Sequence, residues 1–185
     1  DVINSNKKFK IIGLIGKDKK SKNLLNIPII GTNSNFHLLK KKCNYAFIGV
    51  GMIKDSKTRS KIYSTVKKCG FIFPTIFSRY SYVSKKTNIG EGTIIMNNCV
   101  VNIDSDIGEN CIINTSSIIE HNVKIGNNSH IAPGAIVLGH VKIGSNTFIG
   151  SGTIIKNGVV VGDNCTIQAG SFIKKDLKSG TTIKK

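Results

Sequence analysis

From Val83 onward the chain keeps one beat: an aliphatic residue every six positions, with no insertion, from Val83, Ile89 and Ile95 through Val161, Ile167 and Ile173. All sixteen of these positions are Ile or Val, and four residues after each stands a mostly small side chain, among them Thr87, Cys99, Ser117, Ala135, Thr153 and Cys165. A helix of period 3.6 cannot hold a six-residue spacing on one face. Short strands joined by tight corners can, with one β-branched residue per strand pointing inward and Gly or Asn taking the special backbone angles, as in IGEGT, IGENC, IGNNS, IGSNT and VGDNC. Three hexads make one triangular coil. Residues 83–178 are thus expected to build a prism of about five coils, rising roughly 4.8 Å per coil to some 25 Å, with 179–185 as a tail.

Residues 1–82 follow a different pattern. The runs 10–16 (KIIGLIG) and 44–51 (NYAFIGVG) predict buried parallel strands, and FIFPTIF at 71–77 a third that leads into the prism. Ser34 and Asp55 are expected to cap helices over 35–42 and 56–69, with Gly70 as a stop. The predicted class is mixed: a small, partial Rossmann-like α/β domain, then a parallel β-helix. The Gly-rich phosphate turn of such half-folds is missing, and is expected upstream of Asp1. A chain that opens on Asp1 instead of Met is expected to begin inside a longer reading frame.

Charge changes this picture little. The 185 residues carry a formal net charge of +17, and 31 Ile, 25 Lys and 19 Asn stand against two Arg, an excess that coding bias toward A/T-rich codons would also produce. The basic residues concentrate in 1–82, with 17 Lys and Arg against 3 acids, while 83–185 holds 10 against 7. Such a field suits a phosphorylated small ligand or a solvated lysine surface. Aromatic content of 6% without Trp argues against nucleic acid. No run approaches 18 apolar residues, so no membrane insertion is expected. Five cysteines without a CxxC pair fit a reduced, cytoplasmic chain.

Three of four histidines, His121, His130 and His140, lie within twenty residues of the prism. Spacings of nine and ten are expected to put each on a different side of the triangle. No metal is expected, and His140 reads as structural. His121 suits a general base, because an imidazole with pKa near 6.5 accepts a proton at neutral pH. Glu120 can orient it only if the pair lies at a corner. One coil after His121 stands Gly139, which opens space beside the imidazole and offers an N–H to an oxyanion.

The segment INTSSIIEHNVKIGNNSHIAPGAIVLGHVKIGSNTFIG at 113–150, with FIGVG before a helix and YVS at 82–84, resembles the hexapeptide-repeat sugar acyltransferases, the sialic-acid O-acetyltransferases and bacterial UDP-4-amino-sugar N-acetyltransferases. That resemblance implies a left-handed coil, opposite to the usual hand of parallel crossovers, and a homotrimer with the active site between subunits. It implies catalytic roles for His121, Glu120 and Gly139. It implies acetyl-CoA contacts from His130, Gly139, Ser151 and Ala169, and acceptor contacts from Gly51, Asn114, Lys17 and Asp18. The chain departs from the family at Asn122, where relatives carry an acid after the histidine. It departs again at Ser78 and Arg79, in place of a His-Pro pair, and in its GTTIKK ending. The expected activity is transfer of acetyl from acetyl-CoA to the amine of a UDP-linked amino-sugar in glycan biosynthesis. O-acetylation of a sugar such as sialic acid, another acyl group, or a non-catalytic β-helix scaffold are the alternatives.

Overall fold

The computed structural model describes residues 1–6, 8–16, 23–53 and 56–184. Its larger part is a triangular prism of three parallel sheets, in which each strand pairs with the strand eighteen residues away. The first face runs from Ile76–Phe77 through Ile94–Ile95, Ile112–Ile113, His130–Ile131, Phe148–Ile149 and Thr166–Ile167 to Thr182–Ile183. The second spans Tyr82–Val83 to Phe172–Ile173, and the third Asn88–Ile89 to Val160–Val161. The prism therefore exceeds the expected five coils at both ends. With seven strands on its first face it stands roughly 29 Å tall at ~4.8 Å per step.

The repeat explains the core. Ile95, Ile113, Ile131, Ile149 and Ile167 stack on the first face at 0% exposure, as do Ile119, Val137 and Ile155 on the second. The small residues four positions later are buried too, and their polar atoms have one recurrent use. Each donates to the carbonyl at the corner of the next coil: Thr93 Oγ1 to Gly108 O (2.7 Å), Ser105 Oγ to Glu120 O (2.8 Å), Ser129 Oγ to Gly144 O (2.8 Å) and Thr147 Oγ1 to Gly162 O (2.9 Å). Cys99 and Cys111 do the same through sulfur, to Asn114 O and Gly126 O. A small donor fits where a larger side chain would overfill the interior, and it satisfies a carbonyl that would otherwise be buried unpaired. At the corners, Asn98, Asn110, Asn122, Asn128, Asn146 and Asn164 hold positive φ between 55° and 59°. That is the left-handed region asparagine tolerates best after glycine.

The N-terminal unit is smaller and differs from expectation in its strands. Its sheet holds β1 (Leu14–Gly16), β2 (Asn23–Leu24) and β3 (Ile27–Thr32), with β3 central, parallel to β1 and hairpinned to β2. The hairpin turns at Leu25 and Asn26, both at positive φ, without the glycine that would have announced it. Residues 44–51, predicted as a strand, join no ladder beyond a single bridge from Tyr45 to Ile72. The carbonyls of Ile48 and Val50 are taken by a side chain, Arg59, instead. The 71–77 run divides between that bridge and the first strand of the prism.

Three helices complete the unit: α1 (Val2–Asn6), α2 (Phe36–Lys40) and α3 (Lys57–Lys68), with Gly70 at φ +82° after α3 as expected. Ser34 lies inside a 3-10 turn before α2, and the side chain that closes that turn is Asn35, whose Oδ1 accepts the Thr32 N–H at 3.1 Å. Asp55 lies outside the described residues, and Ser56 stands at the α3 N-terminus.

Helix α3 fixes the unit to the prism. Ser56, Arg59, Tyr63 and Lys67 form one stripe, spaced three or four apart. Ser56 Oγ bonds Asn146 Oδ1 (2.8 Å), Arg59 Nε donates to Asn110 O (3.2 Å), and Tyr63 Oη donates to Glu109 Oε2 (2.9 Å). Lys67 bridges Glu109 (2.8 Å) and Glu91 (3.2 Å). Ser56 to Lys67 spans roughly 16 Å of helix, and three coil steps span roughly 14 Å. The helix thus climbs the corner between third and first faces in near register with the coils.

Replacing Ile131, fully buried mid-prism, by Ala is expected to lower stability by about 3 kcal/mol. Chemical denaturation checks this, since a midpoint unchanged within error would contradict the stacked-ladder account.

Candidate active site

His121 occupies the corner between second and third faces, directly after the Ile118–Ile119 strand. The corner turns the side chain outward and leaves it exposed. Its Nδ1 lies 2.9 Å from Asn122 Oδ1. An amide oxygen only accepts, so Nδ1 carries the proton and Nε2 keeps a free lone pair. One coil on, Gly139 faces the ring: a Cβ at Gly139 would lie 2.8 Å from His121 Nε2 and Cε1 and 3.0 Å from Asn157 Oδ1. Glycine is therefore required here by the imidazole beside it, not by its own backbone angles. Among the described residues the Gly139 N–H makes no hydrogen bond.

Two expectations change at this corner. Glu120 does not orient His121, although the pair lies at the corner; its carboxylate accepts instead from Asn102 Nδ2, one coil away, at 3.0 Å. Asn122, the departure from the family pattern, supplies the orienting bond. His140, expected on another side of the triangle, shares the corner with His121, their rings edge to face at 5.0 Å. Nineteen residues is one coil plus one position.

His130 sits on the first face, 7% exposed, under the N-terminal unit. Its Nδ1 is 2.6 Å from Met52 O and its Nε2 is 3.0 Å from Asn114 Nδ2. A carbonyl fixes the proton on Nδ1, and the amide N–H fills the Nε2 lone pair. Burial, helped by the charge of Arg59, holds its pKa below the ordinary 6.5. The structure thus joins two expected residues, His130 and Asn114, to a third, Gly51, which precedes Met52. Gly51 is exposed, and nothing lies within 4 Å of a Cβ built on it. Phe148 packs its ring edge to face with His130 at 5.2 Å.

Ser151 and Ala169 are exposed residues of the corner between first and second faces, stacked one coil apart and joined by the Gly170 N–H to Ser151 O bond (2.8 Å). Lys17 and Asp18 lie outside the described residues. Within one chain the expected site residues therefore fall on two edges of the second face: His121 and Gly139 on one, Ser151 and Ala169 on the other, with Asn114 and His130 beyond the latter. Sequence reasoning missed Met52, Asn122 as a partner, and Arg59, although an Arg among 25 Lys was a signal that a forked donor was needed. Among the described residues, no cluster of three His, Cys, Asp or Glu has the spacing of a metal site. Among the described residues no helix is long and apolar enough to cross a membrane.

Residues 104–139 and 140–175 match the family model described as bacterial transferase hexapeptide (six repeats). No curated protein matches the sequence significantly. Among solved structures, the acetyltransferase domain of PglB from Neisseria gonorrhoeae, in complex with acetyl coenzyme A, superposes with a TM-score of 0.91. It is 25% identical, and the match covers 98% of this chain and 86% of that one. PerB from Caulobacter crescentus, in complex with CoA and GDP-perosamine, gives a TM-score of 0.83 at 26% identity over 87% of this chain and 77% of its own. WeeI from Acinetobacter baumannii shares the fold at 21% identity, with a TM-score of 0.84 over 98% and 87%.

The burial of His130 carries a pH signature. Its pKa is depressed in the folded state, so the unfolded chain binds the proton more readily, and stability falls as pH drops below about 6.5. Thermal melts from pH 8 to 5 should show this decline, and His130→Gln should flatten it. An identical slope in the variant would contradict the neutral, buried ring.

Proposed function

We propose, for a chain whose residues 104–139 and 140–175 match the bacterial transferase hexapeptide model, that it moves acetyl from acetyl-CoA to the amine of a nucleotide-linked amino-sugar. The observation that carries this reading is a histidine tied at Nδ1, free at Nε2, and facing a residue without a side chain. The structural relatives that bind acetyl-CoA, or CoA with GDP-perosamine, support it.

In the proposed reaction the sugar amine attacks the thioester carbonyl, forming a C–N bond while Nε2 of His121 takes the amine proton. The oxyanion of the tetrahedral intermediate meets the unpaired N–H of Gly139. Collapse breaks the C–S bond, and the departing thiolate of CoA recovers the proton from the imidazolium. No acyl-enzyme is needed. Binding both substrates beside one imidazole supplies the proximity such a direct transfer requires.

A second copy would complete the site. The outward residues of the second face are Tyr82, Val100, Ile118, Ile136, Ile154 and Phe172, an unbroken apolar ladder. Tyr82 is 60% exposed and Phe172 55%. The third face, by contrast, presents Asn88, Asp106, Lys124 and Lys142, with Val160 as its one apolar outward residue. An apolar strip of this length on a single chain marks an interface. Packing it into a homotrimer would bring the His121 edge of one protomer against the Ser151 and Ala169 edge of its neighbour, so acetyl-CoA would lie between prisms, as the family resemblance implies.

A thiol-release assay with acetyl-CoA against UDP- and other nucleotide-linked amino-sugars, with free sialic acid included, tests the reading. Turnover with a nucleotide-linked amine is expected, and His121→Ala should reduce it by roughly 10²–10⁴-fold without lowering the melting temperature. Undiminished activity in that variant, or reaction with sialic acid alone, would overturn it. Ile118→Asp combined with Ile136→Asp is expected to yield monomers without transferase activity, measured by light scattering. An active monomer would exclude the shared site.

A further inference from the structure

We propose that Arg59 is a positioning residue: it holds the segment from Ile48 to Met52 against the prism and through that segment fixes the orientation and tautomer of His130. Arg59 is 2% exposed. Its Nη1 donates to Ile48 O (2.6 Å) and Val50 O (2.8 Å), and its Nε to Asn110 O (3.2 Å). The next carbonyl in the same alternation is that of Met52, and it accepts from His130 Nδ1. Carbonyls 48, 50 and 52 thus turn to one side, with the period of an extended chain. Two side chains, one from α3 and one from the first face of the prism, take the place of a neighbouring strand. This is why 44–51 reads as a strand in sequence yet pairs with almost nothing.

Among the described residues the buried guanidinium has no acidic partner. Desolvation lowers its pKa to about 10, which leaves it protonated at neutral pH. Among the described residues its Nη2 and the neighbouring Asn110 Oδ1 have no hydrogen-bond partner. Burial so unfavourable persists here only against the three carbonyl bonds, and those bonds need a planar fork. Lys would keep the charge but not reach all three acceptors from one point. With carbonyls 48, 50 and 52 turned to Arg59 and His130, the main chain at Gly49 and Gly51 stays open: both are exposed, and among the described residues a Cβ at either would meet nothing within 4 Å. An acceptor that reads this main chain, as the proposed activity requires, would find it already ordered. His130, with Nδ1 on Met52 O, is thereby turned so that Nε2 receives Asn114.

The structural half of the inference stands without the activity; its kinetic half rests on the proposed acetyl transfer. Imidazole nitrogens of the wild-type protein, read by 15N NMR at pH 7, should show His130 neutral with its proton fixed on Nδ1. Arg59→Lys should lose that fixed proton. It should also raise KM for the amino-sugar at least tenfold. Methylguanidinium added to Arg59→Ala should restore part of the loss. A wild-type His130 protonated on Nε2, or an Arg59→Lys protein with unchanged tautomer, would overturn the inference even if the variant at 59 folds poorly. Normal tautomer behaviour with no turnover on any acceptor would instead count against the proposed activity alone.

Discussion

Everything in this molecule depends on the eighteen-residue coil, held by an inward β-branched ladder and by parallel backbone bonds such as Ile112 N to Ser129 O and Lys124 N to Val141 O, each 2.9 Å. Once that register is set, any side chain has a fixed neighbour one coil above, roughly 4.8 Å away. His121 faces Gly139, and Gly139 faces Asn157, because they are eighteen apart. A site built this way requires no loop to close and no side chain to search for its partner. Its precision is that of a rigid sheet.

The same register organises the smaller unit. Helix α3 places Ser56, Arg59, Tyr63 and Lys67 along one corner because its rise over eleven residues nearly equals three coil steps. The contacts grade from a buried cation among carbonyls to a half-exposed ion pair of Lys67 with Glu91 and Glu109. Exposed pairs of that kind are worth little. The docking therefore leans on Arg59 and on Tyr63, which lies against Gly92 of the prism and donates to Glu109. Through Met52 and His130 this junction reaches the first face, so the surface proposed to read the acceptor and the histidine below it form one hydrogen-bonded unit.

The prism was legible because its signal repeats sixteen times and each instance carries the same physical demand. Its ends were less so, since Phe77, which is neither Ile nor Val, and Ile183, off the six-residue beat, begin and end the ladder. The candidate site was legible in part. His121 beside Gly139 follows from arithmetic on eighteen residues, and so does the shared corner with His140, which spacing read along the chain obscured. The role of Asn122 was not legible, because local sequence does not say whether a corner amide turns toward the ring before it. The N-terminal strands were misread at 44–51, where side chains from α3 and the prism take the carbonyls, and the β2–β3 hairpin was missed for want of a glycine at Leu25 and Asn26. The first miss arises because the deciding groups are distant in sequence; the second is local, since Leu25 and Asn26 take positive φ that neither residue type announces.

The central claim is that the His121 corner is one half of an acetyl-transfer site whose other half belongs to a neighbouring protomer. A crystal structure of the protein with bound CoA tests it most directly. The account predicts the thiol beside Nε2 of His121 and the N–H of Gly139, with the pantetheine arm against Ser151 and Ala169 of a second copy. CoA bound within a single chain away from this corner, or a second face left open to solvent in the assembled protein, would contradict it.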